Sequence, residues 1–193
     1  DGDEDGYFLL LASPEMPDDA DVVPKTVVFT IDCSGSMTGA KIDQARDAAK
    51  FVLNHLSEGD LFNILAYDDQ VESFRPELQR LDAATRSAAL GFINGLHAGG
   101  STNLNEAMVQ TLKLCQDNER PTYLVFLTDG LPTAGTTGEA EIVANAERAN
   151  RVRARLFPFG VGYYVNSRLL DKLARCNHGQ SEYVRPKQNL QAR

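Results

Sequence analysis

A chain of 193 residues and 21.1 kDa fits one domain better than two, and folding at this size removes about 70% of the unfolded chain's accessible surface, so a core needs no disulfide or metal staple. Apolar residues at 42% and charged residues at 24% exclude a disordered, collagenous or coiled-coil chain. The balance of 19 Lys+Arg against 27 Asp+Glu, a formal charge of -8, lacks the basic footprint of a nucleic-acid binder and is repelled by an anionic membrane surface.

The chain opens Asp-Gly-Asp, with no Met, basic segment or apolar leader, which reads as a fragment whose signal peptide or anchor would lie outside it. Asp1, Asp3, Asp5 and Gly6 imitate the start of an EF-hand loop, but Ala12 stands where the bidentate Glu belongs, so a solvated acidic terminus is the reading. Residues 7–12 (YFLLLA) are expected to add a strand or cover an apolar surface, within an extension over 1–23 that precedes a domain over 24–193. Like 123–128, this run is far too short to span a bilayer.

Residues 25–31 (KTVVFTI) form a β-branched apolar run, the pattern of a strand buried on both faces. Ile42, Ala45, Ala49, Val52, Leu53 and Leu56 then recur at spacings of three and four, one apolar face of a helix that Gly59 closes. Residues 60–67 are a strand, and Asp68, Asp69 and Gln70 turn it into a hairpin with 71–74. Helices are expected over 83–96 and 103–116, the second with Asn103 as cap and Glu106 as its partner. Residues 122–128 (TYLVFLT) read as a second fully buried strand. A helix over 139–150 follows, with Thr136 and Glu139 as a capping box, then a strand over 155–161, a helix over 167–176 and a strand over 181–185.

Such alternation demands a mostly parallel sheet with helices on both faces, and its binding crevice lies at the carboxyl ends of the strands. Three loops fall there: Asp32-Cys33-Ser34-Gly35-Ser36, Gly100-Ser101-Thr102 and Thr128-Asp129-Gly130. They offer two carboxylates and several hydroxyls, hard oxygen donors that suit Mg²⁺ or Mn²⁺ and match zinc or copper poorly. On its own the first loop also reads as an Asx-turn capping the next helix. The three loops together point to a metal.

Residues 27–37 (VVFTIDCSGSM), 98–105 (AGGSTNLN) and 125–130 (VFLTDG) resemble the metal-ion-dependent adhesion site of von Willebrand factor type A domains, and the likeness runs over about 24–185. Residues 7–14 (YFLLLASP) further resemble inter-alpha-trypsin inhibitor heavy chains and their bacterial relatives. The resemblance implies a three-layer, doubly wound, Rossmann-like α/β fold. Its sheet order is 71–74, 60–67, 26–31, 122–128, 155–161, 181–185, with the 71–74 strand antiparallel at one edge. It assigns Ser34 and Ser36 to direct coordination of Mg²⁺ (or Mn²⁺), Thr102 to contact in the ligand-bound form, and Asp32 and Asp129 to contact through bridging waters. The implied function is non-enzymatic: capture of an Asp or Glu carboxylate from a protein partner, without nucleic acid or membrane insertion, in an extracellular, periplasmic or cell-surface setting. Related domains couple binding to a carboxyl-terminal helix; only 187–193 remain here beyond the last strand, so this lever is expected to be missing.

Other readings compete less well. A Mg²⁺-dependent phosphohydrolase commonly places a second Asp two residues after the first, where this chain has Ser34, and no Lys is evident for a transferring phosphoryl group. An intracellular chelatase or AAA-type module is opposed by the 7–14 signature. His55, His97 and His178 have no metal spacing and are expected at surfaces or helix ends; no G-x-S-x-G elbow or Walker loop occurs. Cys33, Cys115 and Cys176 read as small buried hydrophobes, with Cys33 kept from a disulfide by the metal loop. Asp68 and Asp69 are expected at the same end of the sheet as the ion, as rim or as turn.

Overall fold

The computed structural model describes residues 23–116 and 119–184. The expectations for the acidic start, the 7–12 segment and the tail beyond 184 lie outside the described residues.

Strands β1 (Thr26–Asp32), β2 (Leu61–Tyr67), β3 (Val71–Ser73), β4 (Gln79–Arg80), β5 (Thr122–Thr128), β6 (Arg155–Val161) and β7 (Glu182–Val184) form one sheet of order β3-β2-β1-β5-β6-β7, with β4 pairing β2. The order matches the expected one, with β1, β2, β5, β6 and β7 parallel and β3 antiparallel at the edge. The two-residue β4 is an addition: it is too short to carry an apolar alternation, and only its pairing with Leu61 and Phe62 reveals it.

Helices α1 (Ala40–Asn54), α2 (Ala83–Gly95), α3 (Leu104–Leu114), α4 (Glu139–Ala149) and α5 (Ser167–Cys176) cover both faces. Strand pleating divides the core between them. Val27, Phe29, Ile31, Phe62, Ile64 and Ala66 point toward α1 and α2, where Ile42, Ala45, Ala49, Leu53, Ala89 and Ile93 meet them. Val28, Leu65, Tyr67, Leu124, Phe126 and Leu156 point the other way, against Leu104, Met108, Leu112, Ile142, Ala146, Leu169 and Leu173. Every residue of β1 is buried, as a strand covered on both faces requires.

Caps set the helix ends. Asn103 accepts from the Glu106 amide, as its spacing predicts. The Thr136–Glu139 box does not form: Gly138 precedes α4 without a side-chain cap. A reciprocal box arises instead at α2, where Asp82 accepts from the Thr85 amide and the Thr85 hydroxyl accepts from the Asp82 amide. Threonine at the third position does there what Glu usually does, which a search for Glu or Gln passes over. Cys33 and Cys115 are buried as expected, whereas Cys176 is exposed: it falls on the stripe of Leu169 and Leu173 but at the last position of α5, where the helix ends; none of the three forms a disulfide. His55, His97 and His178 are exposed.

Candidate metal centre

Register alone assembles the floor of the site. Asp32 lies opposite Tyr67 across the β1–β2 pairing, and Ile31 opposite Leu127 across β1–β5, which sets Thr128 beside Asp32. All three side chains therefore emerge on one face at the carboxyl ends of the three central strands. The Thr128 hydroxyl donates to Asp32 Oδ2 at 2.7 Å and the Tyr67 hydroxyl to the same oxygen at 3.2 Å, while the Ser34 amide donates to Oδ1 at 2.9 Å. Burial pushes the Asp32 carboxyl above its usual range; the Ser34 and Thr128 donors oppose that rise and the neighbouring Asp129 charge adds to it. Burial, and then the Asp32 charge, also raise the Tyr67 phenol well above its usual value, so it serves as a neutral donor.

Above this floor the chain turns sharply through a single 3-10 turn, Gly35–Met37, with Met37 buried as its plug. The turn sets Ser34 Oγ and Ser36 Oγ 3.1 Å apart. Neighbouring oxygens around an octahedral ion with bonds of about 2.1 Å lie about 3.0 Å apart, so this spacing fits two adjacent Mg²⁺ ligands. Cys33, between Asp32 and Ser34, packs into the α1–α2 side of the core, and burial pushes its thiol up to about 12.

The three loops are bonded to one another by backbone. The Gly35 amide donates to Gly100 O at 3.0 Å and the Gly99 amide to Cys33 O at 2.7 Å, joining the first loop to the second. Thr102 O accepts from the Thr133 and Ala134 amides, and the Thr102 amide donates to Thr133 Oγ1, joining the second to the third. Gly100 sits at φ 73, a left-handed backbone that strains any other residue, and a Cβ there would displace the Asp68 and Asp69 side chains, the nearest atom being Asp69 Oδ1 at 2.8 Å. Asp32, Ser34 and Ser36 thus form one bonded group, Asp129 follows the Thr128 that holds Asp32, and Thr102 is fixed by its main chain.

Three residues outside the assigned ligand set complete the arrangement. Thr128 opens the third loop and Tyr67 is the last inward position of β2, and both hydroxyls hold Asp32. Lys41, in the first turn of α1, donates to Asp129 Oδ2 at 2.9 Å. It is a lysine at the carboxylates where none was expected, and only the return of α1 over the loops brings it there. Asp68 and Asp69 lie at this end too: both crowd Gly100, and Asp68 Oδ1 also accepts from the Gln70 amide, so rim and turn are both correct. On the other side the loop after β6 presents Tyr163 and Tyr164 at 72% and 88% exposure, and Leu131 after β5 is 52% exposed.

Among the described residues, no group of three or more His, Cys, Asp or Glu side chains is placed to hold a metal. Any ion here has to be held largely by hydroxyls, with two carboxylates in support.

The sequence profile of the von Willebrand factor type A domain matches residues 25–183. The chain belongs to that family. It is 38% identical over 189 residues to human inter-alpha-trypsin inhibitor heavy chain H4, covering 94% of this chain and 20% of the relative, and 30% identical over 168 residues to human heavy chain H1, covering 83% and 18%. The chain therefore spans about a fifth of the length of these relatives. Among solved structures, a von Willebrand factor type A protein from Catenulispora acidiphila superposes with a TM-score of 0.75 at 25% identity, over 84% of this chain and 39% of the other. The open conformation of the pilus adhesin SpaC from Lactobacillus rhamnosus GG shares the fold at a TM-score of 0.71 and 13% identity, over 89% and 29%. No helix among the described residues is long and apolar enough to cross a membrane.

Proposed function

We propose that this domain captures a protein partner through a divalent ion, Mg²⁺ or Mn²⁺, held by the Ser34, Ser36 and Thr102 hydroxyls and supported by Asp32 and Asp129. The observation that carries the reading is the pair of serine hydroxyls 3.1 Å apart above a buried carboxylate whose own oxygens are already taken by Thr128, Tyr67 and Ser34. Neutral hydroxyls leave a bound cation under-neutralised, so it accepts a further carboxylate, an Asp or Glu of the partner. Such an ion lets a domain of charge -8 hold an acidic ligand. An extracellular, periplasmic or surface setting belongs to this reading, and no step of bond cleavage is assigned to the site.

Calorimetric titration with Mn²⁺ tests the reading, together with partner capture from the native source with and without EDTA. Asp129→Ala is expected to weaken the ion by roughly 10- to 100-fold, as loss of a residue acting through bound water does. Thr102→Ala is expected to reduce capture more than ion binding. Capture that survives EDTA, or an ion affinity unchanged in Asp129→Ala, would sink the mechanism and leave the fold standing.

The exposed aromatic pair gives the partner surface its second component. Tyr163 and Tyr164 follow Gly162, which lies against the Lys41 stem, so they flank the ion rather than the far end of the sheet. Replacing both by Ser is expected to change stability by less than about 0.5 kcal/mol. Capture should fall by about 30-fold, the scale of an aromatic anchor. Capture equal to wild type would place the partner elsewhere on the rim.

A further inference from the structure

Lys41 is built into the wall of the site. Its ammonium is 2.9 Å from Asp129 Oδ2, and its side chain is 26% exposed against 8% for Asp129. The stem runs past Gly162, where a Cβ would come 3.0 Å from Lys41 Cε. The ammonium thus joins the charge group that includes Asp32 and Asp129.

That membership has opposite effects on the ion and on what the ion binds. With both carboxylates ionised and Lys41 protonated, these three side chains carry one net negative charge, which a divalent ion turns to one net positive; Asp68 and Asp69 on the rim add the same negative background whether or not Lys41 is charged. Were Lys41 neutral, the empty group would attract the ion more strongly, but the loaded group would carry no net charge and would draw an anion only through the ion's own open position. We propose that Lys41 sets the charge of the loaded site: it weakens divalent-ion binding and strengthens capture of the partner's carboxylate. The inference rests on the divalent-ion reading above and assigns a specificity role to a residue outside the ligand set.

Three forms of the chain separate the possibilities: wild type, Lys41→Met, which removes the charge, and Lys41→Arg, which keeps it. Mn²⁺ affinity is measured by calorimetry with the metal alone. Acetate is then titrated into the Mn²⁺-saturated proteins and followed by water-proton relaxation as it displaces bound water. Lys41→Met is expected to bind Mn²⁺ about 5- to 10-fold more tightly and acetate several-fold more weakly, with Lys41→Arg within about 2-fold of wild type on both. Lys41→Gln replaces Lys41→Met if circular dichroism shows the latter unfolded. Asp129-dependent Mn²⁺ binding in wild type with no gain in Lys41→Met overturns this inference alone, as does undiminished acetate binding. No Mn²⁺ binding by wild type overturns the divalent-ion reading with it.

Discussion

Gly179→Ala should destabilise the domain by about 3 kcal/mol and lower its melting temperature by roughly 10 °C. A Cβ at this position would lie 1.7 Å from Leu156 O and 2.5 Å from Leu156 C, a backbone carbonyl near the start of β6 rather than the end of a flexible side chain. Leu156 is fully buried in β6, and its amide is satisfied by Asn177 O from the turn that Gly179 ends. That turn is tied down throughout. The Gly179 amide donates to Ala174 O, buried Asn177 donates to Leu173 O from its side chain, and Asn150 Nδ2 donates to both Asn177 Oδ1 and Ala154 O. Moving Gly179 away therefore breaks a polar network that joins α4, β6 and α5, and leaves buried groups without partners. Gly91→Ala is the matched control: it lies on the exposed side of α2 with nothing within 4 Å of its new methyl, and should stabilise by roughly 0.5 to 1 kcal/mol. A melting temperature for Gly179→Ala within about 1 °C of wild type would show that the turn and β6 separate without penalty.

The parts of the molecule legible in the sequence are those with a period. Every residue from Thr26 to Asp32 is buried, and an uninterrupted β-branched run is how such a strand must be written. The apolar run of β5 marked that strand too, although Tyr123 and Val125 are only half-buried where a fully buried strand is expected, and the spacing of Ile42, Ala45, Ala49 and Leu53 wrote α1 as plainly. Hydroxyl and carboxylate loops at successive strand ends were legible for a different reason: residues clustered in sequence at a turn stay clustered in space. What escaped was built by contacts far apart in the chain. Lys41 and Asp129 are 88 positions apart, and Asp32 and Thr128 are 96. Neither Lys41 nor Thr128 is unusual for its own element. Lysine is ordinary in a first helical turn, and although Thr128 opens the third loop, nothing local shows that its hydroxyl bonds Asp32 until the sheet register is known. Cys176 was misread because residue type alone was used; its place on α5 decides exposure.

The two ends of this sheet do different work. At the carboxyl end, Asp32 and Asp129 are buried near each other, and burial first and the Asp129 charge after it raise the Asp32 carboxyl. At the amino end a single carboxylate is buried for the opposite effect. Asp60, fully buried just before β2, accepts from the Lys25 amide at 2.9 Å, the Ser57 amide at 2.8 Å and Lys25 Nζ at 2.7 Å. Those bonds clamp the starts of β1 and β2 and hold the loop that follows α1.

Asp60→Ala should therefore remove about 3 kcal/mol at pH 7, because two backbone donors and an ammonium lose their acceptor together. Burial alone would raise the Asp60 carboxyl, but the Lys25 and Ser57 donors and the Lys25 charge outweigh it and hold the group below the ordinary carboxylate value. A depressed folded value means that the stabilisation is complete above the unfolded value of about 3.9 and is lost as pH falls through the lower folded one. The difference between wild type and Asp60→Ala, measured by urea unfolding, should stay constant from about pH 8 to pH 5 and shrink below about pH 4. A difference that persists undiminished into that acid range would mean that the bonds act as neutral contacts and that the charge contributes nothing. Lys25→Met should cost only about 1 kcal/mol, since Lys25 is partly exposed and both backbone donors remain. Mn²⁺ affinity of folded Asp60→Ala should match wild type, because the clamp and the ion lie at opposite ends of the same parallel strands; a loss of affinity there would mean that the amino-end clamp holds the register on which Asp32, Tyr67 and Thr128 depend.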